Sequence, residues 1–281
     1  MLHQFIFWLQ SRKLINLVLV FAYFFFILFM HDPLVHLSLW VEGNLSLEVY
    51  NLLVVFVFLS VLVLLSFFVL KKLATDKRNQ KLKLFYLVAT LALLITHSRF
   101  MFDSNIEVIH AFEFTFLAFL LFPLAKRFGA AVFFTLPFML IDEWYQYTVL
   151  YPQWNDYFDL NDLMTDTYGC GIAMVLVMIF GVKGSENISP VWKRPEFVSL
   201  VALVVAVLVA VKICFIAPYA SDACSNTWLV MNERLTPEPF FRPHPTHNIS
   251  YHVMKPVEGL IAITALHLCY FGLDSFRKGS K

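Results

Sequence analysis

Long apolar runs recur along the chain, and this recurrence limits the fold more than any other feature of the sequence. The runs are roughly 17 to 23 residues long, enough for a helix rising 1.5 Å per residue to cross a hydrocarbon core of ~30 Å. Hydrophobic residues make up 59% of the 281 residues and charged residues 15%, so a soluble domain could not bury the apolar surface. We therefore expect an all-α, polytopic transmembrane bundle with membrane lipids as partners and no nucleic acid.

The runs predict about eight transmembrane helices, preceded by an amphipathic stub that lies in the membrane interface. No cleavage site of small residues follows the first run, so it is interpreted as an uncleaved span. The third and fifth runs are short, and polar residues packed against neighbouring helices are expected to complete them. The predicted stub is 1–10, and the predicted spans are 14–30, 52–70, 84–97, 106–124, 128–141, 163–182, 197–217 and 257–273.

The distribution of Lys and Arg predicts which side of the membrane each loop faces. One set of alternate loops, together with both termini, carries sixteen of these residues, whereas the other set carries four: Arg99, Arg234, Arg242 and Lys255. Short cytoplasmic loops are enriched in Lys and Arg. Both termini are therefore predicted to be cytoplasmic, in a multi-pass protein of a bacterial plasma membrane.

Three regions are expected on this basis. Residues 1–96 hold the stub and three spans, 97–182 hold the next three spans with an acidic outer loop, and 183–281 hold the last two. Between these last two spans lies a long outer loop, 218–256, rich in Pro and His. Pro at this density excludes helix and strand interiors, so the loop is expected to form an ordered cap over the outer face. The sequence at Asn248 fits the pattern of an N-glycosylation acceptor, and this match is interpreted as chance.

The four cysteines are expected to be free. Cys214 and Cys224 could pair outside the membrane, but buried, unreactive thiols are the favoured interpretation for all four.

Polar side chains cluster at the predicted outer ends of three consecutive spans. His110 and Glu113, three residues apart, share one helix face. A second group of polar residues lies at the end of the fifth span, and a third lies at the start of the sixth. An ionisable side chain inside a membrane span costs free energy unless it is partnered or hydrated. It therefore usually points into the bundle and marks a functional site. The predicted cluster is His110, Glu113, Asp142, Glu143, Gln146, Asp162, Asp166 and Gly169.

Such a cluster suits several kinds of chemistry. Close carboxylates in a low dielectric cannot all be ionised unless a cation lies among them. A divalent cation is one candidate occupant, with His110, Glu143 and Asp162 as candidate ligands; a carboxylate acid–base pair and an amine pocket are others. No catalytic residue is assigned, because no metalloprotease, nucleophile-elbow, phosphate-loop or dinucleotide motif is present.

Structural interpretations of the same residues remain open. His110 and Glu113 would lock two helices together if both were satisfied by partners, and Asp159 or Asn161 would cap the sixth helix at its positive end. Gly169 and Gly171 would let a second helix approach closely.

Three segments in the same order resemble the signature of the VanZ-like membrane proteins. They are Ile-His-Ala-Phe-Glu-Phe at 109–114, Asp-Glu-Trp-Tyr-Gln at 142–146 and Asp-Leu-Met-Thr-Asp-Thr-Tyr-Gly at 162–169. The resemblance covers roughly residues 97–182. The positions that it matches are His110, Glu113, Asp142, Glu143, Gln146, Asp162 and Gly169.

The chain departs from the family pattern in an acidic direction. Phe114 replaces the usual Tyr, Asp166 the usual Asn, and Glu107 a common Lys, while residues 144–161 lack a frequent Arg. The resemblance implies a role in the cell envelope and in low-level resistance to the glycopeptide teicoplanin; the biochemical activity of the family is not established.

Three functions are compatible with these features. The first is an envelope protein that binds or modifies a lipid-linked or peptidoglycan-related ligand at the outward-facing acidic site. The second is a membrane-embedded, metal-assisted hydrolase of lipid head groups, with ligands drawn from six histidines. The third is an ion-coupled transporter, suggested by Lys212 and His267 within spans and Glu258 at the end of the last. The six histidines are His97, His110, His244, His247, His252 and His267.

Overall fold

The computed structural model describes residues 2–75, 79–102, 105–152, 156–185, 189–233, 239–243 and 250–277. The chain is a bundle of α-helices, as predicted. A 3-10 segment, Asn105–Val108, leads into α5, a π-helical turn, Gln146–Leu150, extends α6, and another 3-10 segment, Gly272–Arg277, follows α9. The α-helices are α1 (Leu2–Ser11), α2 (Lys13–Leu45), α3 (Leu47–Thr75), α4 (Gln80–Met101), α5 (Ile109–Ala125), α6 (Phe128–Tyr145), α7 (Leu160–Ile179), α8 (Pro195–Lys212) and α9 (Pro256–Phe271).

Every predicted apolar run overlaps one of the helices α2 to α9. Seven of the described helices are long and apolar enough to cross a membrane: α2, α3, α4, α5, α7, α8 and α9. The membrane character predicted from composition is therefore supported by the helix lengths. Helix α6, which overlaps the fifth predicted run, is not among these seven. It has 18 residues and carries Asp142 and Glu143 near its end.

Several predicted bounds were wrong; the second span, for example, was expected at 52–70, but α3 runs from Leu47 to Thr75. The first span was expected to end at residue 30, but α2 continues through Pro33 to Leu45 and has 33 residues. A proline removes one backbone hydrogen bond without necessarily ending a long helix in a membrane protein. The seventh span was expected to reach residue 217, but α8 ends at Lys212, and Ala217 lies in a short strand.

Helix α7 is the centre of the bundle. It is buried on nearly all sides and packs most extensively against α5. The close approach depends on Gly169, because a Cβ at this position would overlap the carbonyl oxygen of Ala111 on α5. Gly171 has the same role toward the ring of Tyr270 on α9. The prediction that both glycines permit close helix approach is confirmed.

Buried ion pairs join α6, α8 and α9 at the end of the bundle opposite the acidic cluster. Arg194 Nη1 lies 3.3 Å from Asp274 Oδ2, and both side chains are 2% exposed. Asp274 also accepts hydrogen bonds from the backbone N–H groups of Phe128, at 2.7 Å, and Gly129, at 3.2 Å. Asp274 therefore satisfies two of the otherwise unpaired donors at the start of α6.

The segment between α8 and α9 contains a disulfide and two short strand pairs. Cys214 and Cys224 are bonded to each other, with Cα atoms 5.9 Å apart, so the expectation of free thiols was wrong for this pair. Cys170 is free and buried, as expected, whereas Cys269 is free and exposed. Strand β1 (Ile216–Ala217) pairs in parallel with β2 (Leu229–Val230), and β3 (Arg242–Pro243) pairs antiparallel with β4 (Ser250–Tyr251).

Pro243 is the last residue of β3, which is only two residues long and lies in a two-stranded pair, so the proline does not lie in a strand interior. Proline is tolerated at such an edge because its missing N–H faces away from the partner. Residues 251–254 are buried against the bundle, and the N–H of His252 donates to Phe100 O at 2.7 Å. Asn248 lies outside the described residues.

Candidate functional site

His110 lies between two aspartates of α7. Its Nδ1 atom is 3.4 Å from Asp166 Oδ1 and its Nε2 atom is 3.5 Å from Asp162 Oδ2, both within ion-pair distance. The imidazole and the Asp166 side chain are almost fully buried. This arrangement results from the spacing of Asp162 and Asp166, which places both carboxylates on the face of α7 toward α5. A protonated imidazole can donate from both ring nitrogens, so the geometry suits an imidazolium held between two carboxylates.

The end of α6 adds two carboxylates from a second direction. Asp142 Oδ2 accepts a hydrogen bond from the Gln146 side chain at 3.1 Å, because the π-helical turn keeps Gln146 beside Asp142. Asp142 Oδ1 is buried and has no hydrogen-bond partner. Glu143 points toward the start of α7 and accepts a hydrogen bond from the N–H of Asp159. One Asp142 oxygen is thus buried without a donor to satisfy it.

The carboxylates interact electrostatically with one another across the three helices. Glu113 interacts with His110 and Asp162. Asp142 interacts with His110, Glu113 and Asp162. Glu143 interacts with Asp142 and Asp162. The predicted site residues are therefore brought together in one cluster, and Gly169 lies below it as the packing contact with α5.

The cluster is strongly acidic. Among the residues that the structure describes, no Lys or Arg lies within ion-pair distance of Glu113, Asp142, Glu143 or Asp166. His110 lies within ion-pair distance of two of the carboxylates, Asp162 and Asp166. Close carboxylates in a low-dielectric environment repel one another unless a cation or bound protons compensate their charge.

Helix α2 supplies further polar residues that the sequence analysis missed. The His31 ring centroid lies 6.0 Å from that of His110 and 6.0 Å from that of Tyr151. The Tyr151 hydroxyl donates to Asp32 Oδ1 at 3.1 Å. The available signal was the pair His31–Asp32 at the end of the first apolar run, which was interpreted only as the end of a span.

The start of α7 is fixed by side chains around the cluster. Asp159 is the N-cap of α7 and accepts a hydrogen bond from the N–H of Asn161 at 2.8 Å, which confirms capping for Asp159. Asn161 has another role, since its side chain donates to His252 O at 3.3 Å and accepts from the N–H of Met254 at 3.3 Å. Asn161 therefore joins the segment before α9 to the first turn of α7.

A second chain segment covers the loop beside the cluster. The N–H of Phe158 donates to Met231 O at 2.8 Å, and the Tyr147 hydroxyl donates to Val230 O at 2.8 Å. Burial raises the pKa of Tyr147 to about 12, and nearby carboxylates add to the shift. Burial also raises the pKa of Asp156, while Arg242, 3.4 Å away, lowers it in part. The β2 region thus covers the C-terminal end of α6 through hydrogen bonds to its own backbone carbonyl groups.

The predicted histidine ligands that lie among the described residues have separate partners. His97 Nε2 contacts Asn161 O at 3.1 Å, His267 Nδ1 contacts Ile263 O on its own helix, and His252 contacts Glu258 at 3.0 Å. His244 and His247 lie outside the described residues. Within the described part of the chain, no three His, Cys, Asp or Glu side chains are placed to hold a metal ion. His110, Glu143 and Asp162 are among the described residues and form no such group in the structure.

The residues that suggested a transporter are also separated. Lys212 is exposed at the end of α8, His267 is buried in α9, and Glu258 is paired with His252 outside the cluster.

Comparisons with protein-family models, with curated proteins and with solved structures found no match to this chain.

Proposed function

We propose that this chain is a VanZ-like membrane protein of the cell envelope that binds a lipid-linked or peptidoglycan-related ligand through a cationic group of that ligand. The observation that carries the proposal is the buried Asp142 oxygen without a donor, in a cluster with four other carboxylates. A ligand ammonium would donate to Asp142 and offset the repulsion among the carboxylates. The resemblance over residues 97–182 supports the assignment to the envelope.

The proposed topology has eight spans, with both termini in the cytoplasm and the acidic cluster near the outer side. The Lys and Arg distribution supports this orientation. The disulfide between Cys214 and Cys224 supports it independently, because structural disulfides persist in oxidising compartments outside the bacterial cytoplasm. The eighth span is α6, whose last turn would lie at the outer boundary with Asp142 and Glu143.

Cysteine labelling tests the orientation. In a Cys269→Ala background, Ser46→Cys at the tip between α2 and α3 is expected to react with a membrane-impermeant maleimide in intact cells. Thr75→Cys, at the other end of α3, is expected to react only after permeabilisation. Both positions are exposed, Cys170 is buried and the remaining cysteines are bonded, so the engineered thiol dominates the signal. The reverse labelling pattern would show the opposite orientation.

Binding by the purified protein tests the proposed function. The probe is a lipid-linked peptidoglycan precursor that bears a free amine, compared with the same precursor after N-acetylation. Because hydrogen bonds to charged groups contribute about 1.5–3 kcal/mol, Asp142→Asn or Glu113→Gln is expected to weaken binding about tenfold or more. N-acetylation is expected to weaken it similarly.

Asp222→Asn provides the control, since Asp222 is an exposed carboxylate in the outer segment, away from the cluster. Teicoplanin susceptibility of cells expressing each variant at equal protein levels gives a second readout. Equal affinity for the free and acetylated precursors, with unchanged susceptibility in the cluster variants, would exclude the proposed function.

A further inference from the structure

An apolar groove lies on the face of α5 opposite the acidic cluster. It has a volume of about 230 Å³ and is bounded by α3, α4, α5 and α7. Helix α3 makes few contacts with α7 and is mostly exposed, so the groove stays open between α3 and α7. The T-shaped contact between Phe58 and Phe112, with ring centroids 5.9 Å apart, lies at one end of the groove.

The dimensions of the groove match one lipid chain. Along α3 it extends from Phe58 to Val69, a length of about 16 Å at 1.5 Å per residue. This is close to half of a hydrocarbon core of ~30 Å, the depth that acyl chains of one leaflet occupy. Its two hydroxyl side chains are Ser66 and Thr115, and the Thr115 hydroxyl bonds to the carbonyl oxygens of Ala111 and Gly169. The remaining wall is therefore suited to hydrocarbon.

A lysine lies at the other end of the groove. Lys72 follows the lining residue Val69 by three positions. It therefore shares a helix face with the groove wall, one turn beyond it. Basic residues between transmembrane helices at the membrane surface bind anionic lipid head groups.

We propose that this groove holds one acyl chain of an anionic phospholipid, whose phosphate is bound at the basic end by Lys72. The chain follows α3 from Lys72 toward Phe58. In the orientation proposed above, the lipid belongs to the cytoplasmic leaflet. The site lies across α5 from the acidic cluster and does not depend on the ligand proposed for that cluster.

Lipid retention after purification tests this site. The full chain is extracted in a mild detergent from membranes that contain phosphatidylglycerol and phosphatidylethanolamine, and the retained lipids are quantified by mass spectrometry. Wild-type protein is expected to retain about one phosphatidylglycerol per chain. Ser66→Phe, which fills the groove from an exposed position on α3, is expected to abolish this retention.

Ser60→Phe is the matched control, because Ser60 is exposed on α3 outside the groove, and it is expected to retain the lipid. Lys72→Gln is expected to reduce phosphatidylglycerol several-fold, whereas Lys193→Gln, at the start of α8, is expected to leave it unchanged. Retention by Ser66→Phe, or equal loss in both Phe variants, would overturn the proposal. A change in the oligomeric mass of Ser66→Phe alone would also overturn it, since the groove would then be an interface between copies.

Discussion

His110→Gln is expected to lower the apparent melting temperature of the purified protein by on the order of 10 °C, equivalent to about 3–5 kcal/mol. His110 contacts Asp162 and Asp166 at 3.5 Å and 3.4 Å, and its side chain is 6% exposed. Removing one partner from a buried charge cluster leaves the others uncompensated, which accounts for the size of the loss. Thermal unfolding in detergent, followed by tryptophan fluorescence, measures the effect.

His36→Gln is a matched control for this substitution. His36 lies 3.5 Å from Asp32, the same distance as in the buried pair, but its side chain is 64% exposed. Solvent-exposed ion pairs contribute about 0–1 kcal/mol, so little change is expected. The double variant His110→Gln/Asp166→Asn removes both charges and is expected to recover more than half of the loss, which a double-mutant cycle measures. Equal melting temperatures for His110→Gln and His36→Gln would show that His110 does not stabilise the cluster.

The helices could be predicted because the membrane requires apolar runs of a minimum length, and this requirement is local in sequence. The extension of α2 to Leu45 could not be predicted in this way, because residues 31–45 are too polar to form an apolar run. Tertiary contacts stabilise this extension. The Ser38 hydroxyl lies 2.5 Å from the Tyr50 hydroxyl, which joins the end of α2 to the start of α3.

The acidic cluster could be predicted in outline because its members have helical spacing on three consecutive spans. Two residues in or beside the cluster, His31 and Asn161, could not be placed by helical spacing. His31 comes from α2, whose position beside His110 depends on how the bundle packs. Asn161 was predicted as a possible cap, but its contacts with residues 252–254 cross about ninety positions of sequence. Neither spacing nor composition relates residues that far apart.

The pairing of Arg194 with Asp274 also connects distant positions, and it provides the second large stability effect. Asp274→Ala is expected to destabilise the protein by about 3–5 kcal/mol, because Arg194 would remain buried without its carboxylate. The backbone N–H groups of Phe128 and Gly129 would lose their acceptor as well. The measurement is the apparent melting temperature in detergent, compared with wild-type protein.

Asp156→Ala is the control for Asp274→Ala, because it removes an ion pair that is exposed instead of buried. Asp156 lies 3.4 Å from Arg242, nearly the distance between Asp274 and Arg194, but both side chains are more than a third exposed. We expect Asp156→Ala to cost no more than about 1 kcal/mol. Asp274→Asn keeps one of the two oxygen acceptors for the start of α6 but removes the charge, so its melting temperature is expected to fall between those of Asp274→Ala and wild type. If Asp274→Ala and Asp156→Ala melt at the same temperature, the junction of α6, α8 and α9 does not depend on the buried pair.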